Sequence, residues 1–373
     1  MVAALTTSLS HGQQIVGIFM AGMALGQIPA GLLSDRLGRM PVLYVGMVIF
    51  ALAATLAAFA TSIEVMLVAR FIQGFGAAAS IVLSRAVVRD VASGQDAARL
   101  MSLMTMIFTA APVIAPSIGA FLTMHWGWRT PFIVIAVVAF LMLAAIRSNL
   151  AETHVANKDG HPMRQLANSF SEFFSHRQSI FGLLLVILPP AGYMSIIAVS
   201  AALVVEIYGF TVQQYGLIFA CAGLSILAGS ALNRLLVARF DQLALIRTGI
   251  VLMSIAACQL LVIAWLDAAP FWWLWLCVCQ FMFTIAILVA NATVLALDPL
   301  PRIAGVASSI IGTLQNLVGA AGALGGALIY NGSVRNSVII MAGIGSAVTI
   351  VFLLRFWIAP GPLVHHPDEL ARD

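Results

Sequence analysis

Charge is what this sequence has least of. Of its 373 residues, 9% are Asp, Glu, Lys or Arg, against 62% hydrophobic, where soluble domains carry about 25% charged residues. A water-soluble fold could not hide so much apolar surface, so the bilayer is the solvent that fits. Basic runs with interleaved aromatics are also missing, and the net charge of +4 is spread thinly, which excludes a nucleic-acid partner. Cysteine is scarce. Cys221, Cys258, Cys277 and Cys279 lie in apolar runs and read as small buried hydrophobes rather than metal ligands or disulfide partners. Neither HExxH nor CxxC occurs, and the seven histidines fall in loops, tails or span ends, so no metal site is expected. Without paired acids or histidines inside an apolar stretch, a membrane-embedded enzyme is excluded as well.

Long apolar runs are what is present. Eleven stretches have the roughly 20 apolar residues a bilayer-crossing helix needs: 14–33, 41–60, 65–88, 100–123, 130–147, 180–206, 212–237, 244–266, 271–297, 304–330 and 334–358. A polar segment, 148–179, separates an N-terminal bundle (1–147) from a C-terminal bundle and short tail (180–373). Phe170, Phe173 and Phe174 suggest that part of it lies as an amphipathic helix on the membrane surface. With the loop Ser34–Met40 placed in the cytoplasm, 15 of the 18 basic residues fall inside or at inner helix ends. Arg129 and Arg335 fall outside, and Arg70 within the bilayer. That bias puts the central loop and the C-terminus in the cytoplasm.

Five spans precede the central loop and six follow it. The loop sequence GLLSDRLGR (31–39) follows the first visible span, and a weaker relative, GSALNRLLVARF (229–240), follows the second span of the later half. Parallel repeats would then place one further span before the first. The expectation is that Met1 is internal to a longer product or that the chain is truncated, and that the sequence as given transports poorly.

Three segments carry mechanism. In Gly31-Leu32-Leu33-Ser34-Asp35-Arg36-Leu37-Gly38-Arg39, the glycines allow close approach and a tight turn. Asp35 can meet a helix N-terminus, and Arg36 and Arg39 hold the loop at the anionic inner surface; a generic loop explains the arginines but not the Gly-Asp-Gly spacing. Arg70 lies roughly 9 Å into its span at 1.5 Å per residue. An intramembrane arginine needs a cavity or a partner, although snorkelling to the near interface is an alternative. Gln73 and Gly74 share its face. In the fourth span, Ala111, Ala115 and Gly119 form a small-residue stripe for close packing, and Pro112 and Pro116 bend the helix. Among other intramembrane polar residues, Gln27, Gln73 and Asn316 are cavity candidates, while Gln259, Gln280, Asn291 and Gln315 read as interhelical bridges. Trp272, Trp273 and Trp275 read as an interfacial belt, and Pro189-Pro190-Ala191-Gly192 as a helix break beside the substrate path.

GLLSDRLGRMPVL, RFIQGFGAA and APVIAPSIGA resemble the three signatures of the major facilitator superfamily. With Gly127-Trp128-Arg129, Glu206-Ile207-Tyr208-Gly209-Phe210 and Asp298-Pro299-Leu300-Pro301-Arg302-Ile303-Ala304-Gly305, the whole chain is similar to the bicyclomycin-resistance (Bcr/CflA) type of drug:proton antiporter. The resemblance implies an all-α polytopic fold of two six-helix pseudo-repeat bundles, here with the first helix missing. It implies alternating-access export of small, often amphiphilic compounds across a bacterial inner membrane, by a monomer driven by the proton gradient without a cofactor. Arg70 matches the family's proton-coupling arginine and Asp35 its inner-face gating acid. Ala115 and Ala120 stand where the family prefers glycine. Every Asp and Glu lies in a loop, a tail or near a span end, so the proton-carrying acid is not visible. A carrier of one uncharged or weakly charged metabolite, and a transport-inactive remnant, are the alternative readings.

Overall fold

Apolar windows with mean hydropathy between 1.2 and 2.3 fold as helices because a backbone in hydrocarbon must satisfy all its hydrogen bonds internally. A computed structural model describes residues 9–91, 118–153, 162–267, 269–300 and 303–359, with scattered positions between 96 and 115. Among them are α1 (Leu9–Leu37), α2 (Arg39–Ala58), α3 (Ile63–Val91), α4 (Thr130–Asn149), α5 (Pro162–Ser175), α6 (Arg177–Ala202), α7 (Val212–Leu236), α8 (Gln242–Leu266), α9 (Phe271–Leu297), α10 (Ala304–Ile329), α11 (Val334–Leu353) and α12 (Arg355–Ile358). Residues 118–126 are helical too, and no described residue is in a strand. Ten described helices can cross a membrane, matching ten of the eleven expected spans. The remaining one, 100–123, falls mostly outside the described residues.

The helices pack in two groups. In the first, α1 lies along α3, and α2 packs on both α3 and α4; in the second, α6 meets α9, α10 and α11, α9 lies against α7 and α8, and α11 packs on α8. The groups meet chiefly through α1 and α10. Helices gain no hydrophobic drive from one another in lipid, so contacts rely on backbones that can approach closely. At α1–α3, a methyl added to Gly74 would stand 2.0 Å from the Phe19 carbonyl oxygen. At α6–α10, one added to Gly322 would stand 2.2 Å from that of Ala191.

Four local expectations are corrected. Pro189 and Pro190 are buried inside a continuous α6; the irregularity comes later, as a π-turn at Leu203–Ile207. The proline pair removes donors, but the helix carries on, packed against glycine-rich α10. Trp275 is core rather than belt: it is buried, and its indole N–H donates to the Ile218 carbonyl at 2.9 Å, while Trp272 remains exposed. Cys221 and Cys258 are exposed on their helices and only Cys277 is fully buried, because apolar positions of a membrane bundle face lipid as readily as core. The amphipathic segment does form α5, but it docks on the protein: Phe173 is fully buried in the second group's core, with Phe174 exposed.

Candidate functional site

One residue, Gly38, joins α1 to α2. Its φ is +95°, a region open to glycine and strained for other residues. An added methyl would stand 2.6 Å from Glu152 Oε2. Replacing Gly38 with alanine should therefore lower stability by about 1–3 kcal/mol, read as a drop in melting temperature of the detergent-solubilised protein. Gly31 behaves differently. A methyl there would meet only Val82 Cγ1 at 3.7 Å, so close packing is not what Gly31 serves.

Glu152, beyond α4, closes the start of α2. Its carboxylate accepts from Arg39 N–H at 2.8 Å and Met40 N–H at 3.0 Å. The first N–H groups of a helix have no partner within it, and the helix dipole favours an anion there. The acid at a helix N-terminus is thus Glu152 rather than Asp35, which pairs with Arg39 one turn on. Arg39 does not reach out to the surface either. Its Nε donates to Asp90 Oδ2 at 3.1 Å and its Nη1 to Ser34 Oγ at 2.8 Å. Thr153 Oγ1 donates to the same Asp90 oxygen at 3.3 Å. Of the two turn arginines, Arg36 is the exposed one, as expected of a surface-holding residue. The turn, the end of α3 and the chain after α4 are thereby locked by the mostly buried Arg39 guanidinium and the carboxylates of Asp90 and Glu152. Glu152→Gln keeps one acceptor and loses the charge; it should cost about 1–2 kcal/mol, and Glu152→Ala more, in the same melting measurement.

Above this latch a cavity of about 430 Å³ opens between the groups. Gln27, Gly31, Ser34, Asp35 and Arg39 line it from α1 and the turn; Ile81, Val82, Arg85 and Ala86 from α3; Val306, Ser308, Ser309 and Gly312 from α10. Its deep end is a bridge between the groups: Thr313 Oγ1 donates to Gln27 Oε1 at 3.2 Å, both residues buried. Beyond that bridge α1 and α10 close together. Leu324 Cγ lies 2.6 Å from where a methyl on Gly17 would be, and Met20 Cε 2.7 Å from one on Gly319. The groups part at the end bearing the turn and touch at the opposite end.

Arg70 is separate from this cavity. Its Nη1 donates to Gln73 Oε1 at 2.6 Å, and its guanidinium carbon lies 4.3 Å from the Phe19 ring centroid and 5.9 Å from that of Phe132. Nε is buried without a partner, and Arg70 is in neither ion pair found among the described residues. Phe19 precedes Gln27 by eight residues, about 12 Å along a helix. Arg70 and Gln73 therefore sit inside the first group, well past the cavity's deep end. Asn316, half-buried on α10, is not among the cavity-lining residues. Ala111, Pro112 and Pro116 lie outside the described residues. Ala115 is helical and exposed, and a methyl added to Gly119 would meet nothing within 4 Å, so Gly119 makes no tight helix contact.

A turn latched by Asp35, Arg39 and Asp90, a cavity between two helix groups and an arginine inside the first coincide with a sequence profile described as Major Facilitator Superfamily, which matches residues 1–323. The chain belongs to the major facilitator superfamily. Among similar family members, the bicyclomycin resistance protein homolog of Haemophilus influenzae is 28% identical over 95% of this chain and 88% of its own length. Multidrug resistance protein MdtL of Klebsiella pneumoniae is 30% identical over the same shares, and multidrug resistance protein D of Escherichia coli 27% over 82% and 76%. The crystal structure of a D-xylose-proton symporter covers 96% of this chain and 91% of its own with a TM-score of 0.78 at 18% identity. An inward-facing, unoccupied bacterial homolog of the human lysosomal transporter Spinster gives 0.72 at 14%, covering 96% and 90%. Both likenesses concern the fold. This superfamily member is a multi-pass membrane transporter for small molecules, not an enzyme.

Sequence reading missed Asp90, Glu152, Arg85, Ser308, Ser309 and Thr313. Asp90, in the last turn of α3, and Glu152, just past α4, sit at the level of the basic turn. Counting basic residues for orientation passes over the acids that pair with them, and pairing those acids with the turn would have found both. Gln259, Gln280 and Asn291 do serve as bridges: Cys277 Sγ donates to Gln259 Oε1 at 3.1 Å, Gln280 Nε2 to the Leu252 carbonyl at 3.0 Å and Asn291 Nδ2 to Asn233 Oδ1 at 2.7 Å.

Proposed function

We propose that this protein exports small, often amphiphilic drugs or toxic compounds in exchange for protons, as a monomer in a bacterial inner membrane. The turn between α1 and α2, the connector 148–179 and the C-terminus face the cytoplasm in this reading. Support for the substrate class comes from the names of its relatives, several of which confer drug resistance. Support for alternating access comes from one observation above all: the groups enclose a cavity beside the latch and close on each other at the opposite end. That arrangement receives a substrate from the cytoplasm. The groups 1–147 and 180–373 rock about the α1–α10 contact, breaking the Gln27–Thr313 bridge and re-forming contacts around Asp35 and Arg39. Energy comes from the proton gradient and no cofactor takes part. Arg70 serves coupling, because a cation held in the membrane, with no counter-ion among the described residues, shifts the proton affinity of whatever acid approaches it.

Ethidium uptake into inverted vesicles tests this. With respiration acidifying the lumen, vesicles holding the protein should accumulate the dye, and nigericin should release it. Uptake indifferent to nigericin would contradict proton antiport. Movement of one metabolite but of no compound in a broad drug panel would favour a metabolite carrier.

A further inference from the structure

The two described arginines expected on the outer side do the same work in the two halves. Arg129 Nη2 donates to the Ala60 carbonyl just past the end of α2, at 3.2 Å and 69 residues' separation. Arg335 Nε donates to the Ala264 carbonyl in the last turn of α8, at 2.9 Å and 71 residues' separation, and its Nη2 reaches the Trp265 carbonyl at 3.4 Å. At α8 these are the last carbonyls of a helix, which have no partner within it and where the dipole draws a cation; at α2 the acceptor lies two residues past the helix end. Each arginine also stands at the start of the final spanning helix of its group, α4 and α11, and α4 packs on α2 as α11 does on α8.

Each is held from its own side. The guanidinium of Arg129 lies over the Trp128 ring at 4.4 Å. The backbone N–H of Arg335 donates to Asp267 Oδ1 at 2.7 Å, and Asp267 takes φ +50°, a left-handed helix end. So α8 and α11 cap each other, one through a guanidinium and one through a carboxylate. Near-equal spacing and a guanidinium-to-carbonyl bond from the start of the final helix to the outer end of its neighbour, in both halves, mark one duplicated device. Its position also explains why two arginines break the inside bias.

We propose that Arg129 and Arg335 form a duplicated clamp that makes α2 ride with α4 and α8 with α11, so that each half carries its outer helix pair through the transport cycle as one body. This rests on the alternating-access reading above, and both residues act as positioning residues.

The test uses full-length protein with Cys221, Cys258, Cys277 and Cys279 changed to serine as the parent. Two further proteins carry Ala60→Cys with Arg129→Cys, or Ala264→Cys with Arg335→Cys. With thiols free, ethidium transport per membrane-inserted protein should fall about tenfold, the low end of the worth of one charge-assisted hydrogen bond. Joining each pair with a short bis-methanethiosulfonate linker should restore most of it. Transport that stops on linking would show that the pairs separate in the cycle and overturn the clamp, as would unlinked proteins running at the parent's rate. Arg129→Lys and Arg335→Lys offer a second readout, because lysine lacks the guanidinium fork. Amide hydrogen exchange should quicken at the last turns of α2 and α8 alone. Exchange unchanged there, or raised throughout the chain, contradicts the proposal. A parent that moves no ethidium counts against the export reading instead, since exchange is read without substrate.

Discussion

Replacing Arg70 with methionine is expected to raise the melting temperature by a few degrees while abolishing proton-driven export. Methionine matches the length of the side chain but carries no charge. Arginine within the bilayer costs about 3 kcal/mol or more. Here the compensation is partial: one hydrogen bond to Gln73 and two aromatic rings, with Nε buried and unpartnered. The Phe132 centroid stands near the limit of such a contact and adds little, so the hydrogen bond and the Phe19 ring return about 1 kcal/mol each, short of that cost, and no ion pair adds to them among the described residues. A residue kept at a net energetic loss inside a membrane is kept for function, and its removal relieves the fold. Thermal unfolding in detergent and nigericin-sensitive uptake, measured on the same preparation, give the two readings. Methionine protein that melts well below the parent, or that still exports, would refute this view of Arg70.

Gly74→Val should leave almost no folded protein in the membrane, whereas Gly31→Ala should leave folding untouched. At Gly74 the added methyl would sit 2.0 Å from the Phe19 carbonyl oxygen and 2.9 Å from the Met23 nitrogen. Both are backbone atoms of α1 and neither can swing aside. Relief requires the whole helix to shift, which also moves the ring that stacks on Arg70. Overpacking of rigid backbone costs about 3 kcal/mol or more, a large part of a total stability of roughly 5–15 kcal/mol. At Gly31 the nearest atom is 3.7 Å away and the methyl points into open cavity. Extending that series separates packing from transport: Gly31→Trp should insert and fold normally yet block ethidium movement by filling the cavity. The monodisperse fraction after solubilisation, compared across the three variants, decides the matter; equal yields from Gly74→Val and Gly31→Ala would contradict it.

How much could be read from the chain depends on the kind of information. Spans were legible because hydrocarbon imposes a single rule on length and polarity, and ten of them recur as helices. The Arg70–Gln73 contact was legible because it is local, three residues along one helix. Gly38 was legible for the same reason, since a glycine between two apolar runs marks a tight turn, and its backbone is left-handed. What joins distant segments was not. Glu152 reaches Arg39 across 113 residues and Gln27 reaches Thr313 across 286, and no periodicity encodes either. Gly31 and Gly38 read alike in sequence, yet one opens a cavity and the other makes a turn. Pro189 and Pro190 misled because a proline pair signals a break in isolation, while α6 continues through it, packed on both sides. Trp275 misled because only packing shows which of three neighbouring tryptophans turns inward.

Alternating access about the α1–α10 contact can be tested with two distances in one protein. Spin labels at Leu37 and Val237 report the end bearing the latch, and labels at Phe59 and Leu266 the opposite end; all four side chains are exposed. Pulsed electron resonance in lipid nanodiscs, with and without substrate and at low and high pH, should show the first distance shortening as the second lengthens. Distances that change together, or that stay fixed in a protein that still exports, would contradict the rocking of two bodies around a central cavity.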